Sequence, residues 1–391
     1  MSNYPLASTT WDGAEYQAMQ KVIASGMFTM SENVAQFERA FAGYLNSKYC
    51  LMVNSGSSAN LLMVAALFYR ESSMLRRGDE VIVPAVSWST TYFPLHQYGL
   101  KLKFVDIDAE TLNYDLAQLA DAVSDKTRVI MAVNLLGNSN DFIVISDIIG
   151  SRDIILLEDN CESLGSTYNG LKTGTFGLMG SFSTFFSHHI STMEGGMIAT
   201  DDEELYHILL SLRAHGWTRN LPKHNRICST KSDVAFEESY RFVLPGYNVR
   251  PLELSGAIGI EQLKKLPGFV KSRRNNAKSF QSVMSDFPYF QIQKEISESS
   301  WFGFSLIIRD EAPFSRQDFI HKLKENEIEF RPIVTGNFTK KEVINWFDYS
   351  IHGELKNAEL VDRNGLFIGN HHFPLEHQLE LLFKALRGMP C

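Results

Sequence analysis

Asp153-Ile154-Ile155-Leu156-Leu157-Glu158-Asp159-Asn160-Cys161-Glu162 is an almost unbroken apolar run that ends in carboxylates. A run without polar alternation reads as a strand buried on both faces, the condition of a strand inside a parallel sheet. Short β runs at residues 81–83, 102–105 and 129–133 precede it, with helical patterns between them. Strand and helix in alternation argue a mostly parallel α/β sheet with helices on both faces. Ligands of such sheets gather at the carboxyl ends of strands, where Asp159 falls. Taken alone, Glu158 and Asp159 read equally well as helix caps or solvated carboxylates.

Two stretches N-terminal to this run carry ligand chemistry. Tyr49–Val53 is a short apolar strand, followed by Asn54-Ser55-Gly56-Ser57-Ser58-Ala59-Asn60 and a helical run over 61–69. Strand, small polar turn and helix outline an anion site. Gly56 lets backbone approach closely, and Ser57 with the free amides of the first helical turn can face a phosphate with the helix dipole behind them. Ser-Gly-Ser also caps ordinary helices. After the strand Glu80–Pro84 comes Val86-Ser87-Trp88-Ser89-Thr90-Thr91, whose tryptophan suits either a flat stacking surface or a place in the core.

A fourth stretch, Ser183-Thr184-Phe185-Phe186-Ser187-His188-His189-Ile190-Ser191-Thr192-Met193-Glu194-Gly195-Gly196, follows apolar–polar alternation that begins at Ser181 and Phe182. Glu194-Gly195-Gly196 marks a turn into a second apolar strand over 197–199. Two histidines therefore stand just past a strand end. Imidazole carries protons near neutral pH, whereas two hydrogen-bonded loop histidines are the plainer reading.

In this order and spacing the four stretches resemble the sugar aminotransferase and dehydratase family of fold type I pyridoxal-phosphate enzymes. Leu244-Pro245-Gly246-Tyr247-Asn248-Val249-Arg250-Pro251 is similar to the family's Gly-Tyr-Asn-x-Arg loop, and the likeness runs over nearly the whole chain. The family's aminotransferases carry a lysine six positions before Glu-Gly-Gly, and counting back from Glu194 puts His188 there. Imidazole cannot form the covalent tether that a lysine makes with the cofactor. One branch of the family, which removes the carbon-3 hydroxyl of GDP-4-keto-6-deoxymannose, carries histidine at this place. Arg213 to Asn220 and Arg331 to Phe338 resemble that branch as well.

The resemblance implies a role for each residue. Gly56, Ser57 and Ser183 would hold the phosphate, with Asn248 arriving from a second subunit of a homodimer whose sites are shared. Trp88 would stack on the pyridine ring and Asp159 would pair with its nitrogen. Glu162, where aminotransferases carry glutamine, would lie near the ring's phenolic oxygen. His188 would be the catalytic acid and base. The implied cofactor is pyridoxal 5'-phosphate, cycling with pyridoxamine 5'-phosphate, and glutamate would be the amino donor, its nitrogen leaving as ammonia. The implied product is a 4-keto-3,6-dideoxy sugar for colitose in a lipopolysaccharide O-antigen. A nucleotide-sugar pyrophosphate needs local cations, and Arg219, Arg250 and Arg331 are candidates beside the reading of structural ion pairs. His215, on a helix end by pattern, is a further substrate-side candidate.

Composition sets the outer bounds. The chain has 391 residues, 44% of them hydrophobic, enough for large cores in two domains. The expected division is an aminotransferase-like large domain over 1–250 and a smaller C-terminal α+β domain over 251–391, with the N-terminal segment able to pack on the latter. Within the latter, a helix carries Glu261 to Leu266 toward Pro267, and 302–308 reads as a strand. The polar stretch 221–238 reads as a loop over the substrate or a surface excursion. A net charge of -8 argues against nucleic-acid binding. The four cysteines, Cys50, Cys161, Cys228 and Cys391, show no metal spacing, and no signal peptide or long apolar span is present, so a cytoplasmic protein free of the membrane is expected. Cys161 reads as a small buried filler. Two rival readings are an aminotransferase with a displaced lysine and a non-catalytic cofactor-binding sensor. The lysines nearest in sequence to the motif are Lys172 and Lys223, and the glycines flanking Lys172 suggest exposure.

Overall fold

The computed structural model describes residues 3–72 and 74–390, so Cys391 lies outside the described residues. Ile155–Asp159 runs inside an eight-stranded sheet. The order across it is Tyr49–Val53, Gly196–Thr200, Met179–Ser183, Ile155–Asp159, Thr127–Val133, Glu80–Pro84, Lys101–Val105 and Tyr349–Ile351. Gly196–Thr200 is antiparallel to both neighbours, and every other adjacent pair is parallel. All the other strands therefore point the same way, and their carboxyl ends share one edge.

The reversal comes from the glycine turn. Ser183 pairs with Gly196, which leaves residues 184–195 as an excursion at the strand end. Gly196 accepts the close approach of another backbone, since a Cβ there would lie 2.2 Å from the Ser55 carbonyl oxygen.

The helix after the first strand spans Gly56–Ala66, earlier than the expected 61–69. Ser55 is its N-cap, with Oγ accepting from the Ser58 amide at 3.1 Å. The turn-like residues are thus the first helical turn, because a serine cap starts the helix before the apolar periodicity begins.

The C-terminal four-stranded sheet, Phe290–Gln291, Gly303–Ile308, Gly365–Gly369 and Phe330–Arg331, is antiparallel throughout. Phe280, Phe304, Phe319, Ile368 and Leu382 fill its core. Tyr4 is buried in the same core, its hydroxyl donating to the Gly369 carbonyl at 2.8 Å. Tyr349–Ile351 instead extends the large sheet, and Phe338, Ile344, Ala358 and Val361 pack into the large-sheet core. The N-terminal segment thus packs on the smaller core, and segments beyond residue 250 pack on the large sheet. The helix aimed at Pro267 passes through it and spans Glu253–Met284. Pro267 and Gly268 lie on the exposed face, where the carbonyl that loses its partner can turn to water.

The 221–238 stretch is an ordered excursion. It holds a hairpin of His224–Asn225 with Ser229–Thr230 and a short helix, Ala235–Glu238. Glu238 ties it down by accepting from Thr218 Oγ1 at 2.7 Å, the Ser232 amide at 2.6 Å and Arg241 Nη1 at 2.8 Å.

Candidate active site

Strand alternation separates the two carboxylates. Glu158 faces away from the cleft and accepts from the amides of Gly174, Phe176 and Gly177 at 2.6, 2.6 and 2.8 Å. Burial pushes its carboxyl up, while those amides pull it down. Asp159, on the opposite face, accepts on Oδ2 from Asn60 Nδ2 at 2.8 Å and Thr91 Oγ1 at 2.7 Å, and on Oδ1 from the Cys161 amide at 3.2 Å. Neither carboxylate caps a helix or stands in solvent. Asn60 and Thr91 lie in the stretches quoted from the sequence, yet nothing in their spacing marked them as Asp159 partners. Two helices arriving from different strands bring them there.

The anion cradle is closed by contact. A Cβ on Gly56 would lie 2.7 Å from Ser183 Cβ and 3.0 Å from Cys161 Sγ, so helix start, strand end and Cys161 meet at one point. Burial pushes the Cys161 thiol up, leaving it an uncharged filler. Ser57 is exposed and donates to Thr90 Oγ1 at 3.0 Å. Trp88, the N-cap of the Ser89–Gln97 helix, is 56% exposed rather than core.

Glu162 lies at the floor, partly buried, and accepts on Oε2 from the Leu136 amide at 3.1 Å. Burial first and the Asp159 charge second push its carboxyl up to about 7, against the Leu136 amide. His188 sits against Phe302, with ring centroids 5.1 Å apart, and its Nδ1 is buried without a hydrogen-bond partner. Burial, then the positive charge of Arg273, lower its imidazole to about 4. His189 is fully buried, its Nε2 within 3.1 Å of the Ser300 carbonyl. The two histidines thus divide into one at the cleft and one in the wall.

The remaining candidates lie further out. Asn248 is exposed, and its Oδ1 accepts from Arg250 Nε at 3.0 Å. Its loop is pinned beside the cradle by the Asn54 amide donating to the Val249 carbonyl at 3.0 Å. His215 has left the helix, with φ +65°, and is exposed like Arg219 and Arg331. The Arg219 guanidinium lies 5.3 Å from the Trp217 ring centroid. Neither sequence-near lysine occupies the cleft: Lys172 Nζ is 4.8 Å from the Tyr44 ring centroid and Lys223 pairs with Asp233.

The loop carrying His188 is fastened by residues that carried no sequence signal. Trp11 Nε1 donates to the Ser191 carbonyl at 3.0 Å, and Gln262 Oε1 accepts from the Ser191 amide at 3.0 Å. Gln262 also binds Thr10 and Glu15, which tie in Lys265.

Comparison with known proteins agrees with this geometry. The chain is 61% identical over 388 residues to a GDP-4-keto-6-deoxy-D-mannose 3-dehydratase of Yersinia pseudotuberculosis, covering 99% of each chain. It is similar to a crystal structure of a GDP-4-keto-6-deoxymannose-3-dehydratase histidine-to-asparagine variant with bound GDP-perosamine, with 60% identity, TM-score 0.97, and coverage of 98% of this chain and 100% of that one. It resembles equally a structure of such a dehydratase with a trapped PLP–glutamate geminal diamine, at 60% identity, TM-score 0.97 and the same coverage. The model of the DegT/DnrJ/EryC1/StrS aminotransferase family matches residues 10–378, and the chain belongs to that family.

Proposed function

We propose that the chain is a pyridoxal-phosphate-dependent lyase that removes water across carbon 3 of GDP-4-keto-6-deoxy-D-mannose, with glutamate as amino donor and with ammonia and 2-oxoglutarate released. The observation that carries this reading is His188. An imidazole with an unpartnered buried nitrogen stands where its family's aminotransferases carry their lysine, at the strand end shared with a closed anion cradle and a buried carboxylate. The residues present fit the cofactor. The close contact of Gly56 with Ser183 brings the start of Gly56–Ala66 to the cradle, and the exposed Trp88 offers a flat surface.

Gly56, Ser57 and Ser183 would hold the phosphate, with Asn248 of the partner subunit completing the ring of donors. Trp88 would cover the pyridine face. Asp159, its carboxylate oriented by Asn60 and Thr91, would pair with the ring nitrogen. Bound pyridoxal phosphate supplies an electron sink and, in its amine form, the nitrogen that comes from glutamate and leaves as ammonia. His188 starts neutral and takes up a proton. Once charged it is a strong acid, well placed to protonate the hydroxyl leaving carbon 3. Glu162, with its carboxyl near 7, holds or gives a proton at the cleft floor. His215, Arg219, Arg250 and Arg331 are the substrate-side groups, with the arginines matching the charge of a pyrophosphate.

The homodimer is part of the same reading. Met27, Phe28 and Leu252 are exposed together, with Leu252 bridged to Thr29 and the Glu253 amide bonded to the Phe28 carbonyl, and a second copy would bury them. A nucleotide-sugar substrate places the enzyme in the cytoplasm, feeding an O-antigen sugar of the colitose type. No described helix is long and apolar enough to cross a membrane.

The test is to incubate the protein with pyridoxal phosphate, glutamate and GDP-4-keto-6-deoxymannose, measuring ammonia and the sugar product by mass spectrometry. Loss of water with stoichiometric ammonia is expected; an amino sugar without ammonia overturns the reading. His188→Asn is expected to lower dehydration by about 10²–10⁴-fold, the usual contribution of a general acid–base, while cofactor absorbance persists.

A further inference from the structure

Arg273 lies on the inner face of the Glu253–Met284 helix and is 4% exposed. A buried guanidinium ordinarily faces a carboxylate, as Arg213 does with Glu38. Arg273 has none within ion-pair distance among the described residues. Its Nη1 donates to three carbonyls, Asn370 at 2.7 Å, Phe302 at 3.0 Å and Trp301 at 3.4 Å, and its Nε is buried without a partner. Burial with so little compensation lowers the guanidinium to about 10.

What this cation grips is the backbone under the catalytic imidazole. Trp301 is held at φ +48°, a region costly for a bulky residue. Asn370 Nδ2 donates to the Trp301 carbonyl at 2.9 Å, and the Phe302 amide donates to the Leu136 carbonyl at 3.0 Å. Leu136, itself at φ +54°, gives its amide to Glu162. The Phe302 ring is the one packed on His188. One chain of contacts therefore joins Glu162, two strained residues, Arg273 and His188.

We propose that Arg273 is a positioning residue for His188: its uncompensated guanidinium locks the Trp301–Phe302 bend beneath the imidazole and disfavours a second positive charge there, so that His188 enters each cycle as a neutral base. This rests on the catalytic role given to His188 above. Arg273 on the long helix bears on His188, on His189 of the same loop, and on His371 and His372 after the Gly365–Gly369 strand. Arg273 depresses all four histidines, after burial in each case. Among the described residues no carboxylate pairs with His188 to favour its charged form. The physical consequence is an acid that, when charged, gives its proton up readily to a poor leaving group.

The experiment reads the imidazole directly. Protein labelled with ¹³C-histidine, loaded with pyridoxal phosphate, is titrated by NMR, with His188 assigned by its loss in His188→Asn. The native His188 signal is expected to remain neutral down to pH 5; a midpoint near the ordinary 6.5 overturns the proposal without any variant. In Arg273→Met the midpoint is expected to rise by about one pH unit, a tenfold change in the neutral fraction on the acid side, with the acid limb of kcat moving alongside. Arg273→Lys keeps the charge but not the Nη1 position that reaches all three carbonyls, so its midpoint stays low while kcat falls about tenfold at every pH. Equal losses in both variants with an unmoved midpoint would leave only a structural role and overturn the proposal. Failure of the proposed reaction itself would appear separately, as no ammonia from the native enzyme.

Discussion

At the scale of single residues, the cleft holds two titratable groups pushed in opposite directions by the same cause. Burial disfavours charge on either, which lowers the His188 imidazole and raises the Glu162 carboxyl. For Glu162 the folded chain keeps a proton that the unfolded chain releases between about 4.5 and 7. More protons bound in the folded state means stability falls as pH rises through that window. Glu162→Gln removes the penalty and keeps an acceptor for the Leu136 amide. The cofactor-free variant is expected to match the native protein closely at pH 5 and to exceed it at pH 8 by on the order of 2 kcal/mol, read from urea denaturation at each pH. Equal stability at pH 8 would show that Glu162 ionises freely. Asp159, Gly56, Ser57 and Trp88 could be named from sequence because each stands at a strand end or helix start, and Ser183 through the family resemblance. Their partners Asn60 and Thr91 could not be assigned, because the bonds that orient Asp159 cross from one strand connection to another.

At the scale of elements, the Glu253–Met284 helix organises the site without entering the cleft. It supplies Gln262 to the Ser191 amide in the His188 loop and Arg273 to the Phe302 carbonyl beneath it, and Pro267 between them leaves the helix unbroken. Gln262 is fully buried, and its amide is satisfied on both ends by Thr10, Glu15 and Ser191. Gln262→Leu would strand the Ser191 amide and the Thr10 carbonyl away from water and leave Glu15 with Lys265 and the Asp12 amide. A loss of about 2–4 kcal/mol is expected in denaturant unfolding, with earlier proteolysis within residues 185–193. An unchanged midpoint would show that the hub carries no weight. A sequence reader meets Pro267 as a stop signal, since the rule that proline ends helices is local. Here the apolar face continues past it, and the missing hydrogen bond falls on the solvent side.

At the scale of the whole molecule, chain ends and cores interlock. His371 joins the N-terminal segment to the C-terminal sheet, with Nε2 2.9 Å from the Pro5 carbonyl and Nδ1 3.0 Å from Ser8 Oγ. Burial first and Arg273 second lower it to about 4, as for His188, and lower His189 and His372 in the same direction. Unfolded histidines bind protons from about 6.5 downward, so the unfolded state holds more of them and stability falls as pH drops from 6.5 toward 4. Glu162, Glu158 and Asp106, all pushed up by burial, oppose this. With His207 also lowered by burial, five histidines stand against three carboxyls and a net fall in stability is expected, checked by urea midpoints from pH 7 to 5; a rise over that range would contradict it. The amino-acid sequence by itself determined the parallel α/β sheet, the cradle, the carboxylate at the strand end and the histidine in the loop, because strand period, caps and glycine turns act over a few residues. Only the tertiary structure decided that Tyr349–Ile351 joins the large sheet, that Tyr4 enters the smaller core, and that Arg273 grips the Phe302 carbonyl while the Phe302 ring packs on His188. Those placements come from burying apolar faces and polar groups between segments far apart in the chain, and no local pattern records which distant surface a residue will meet.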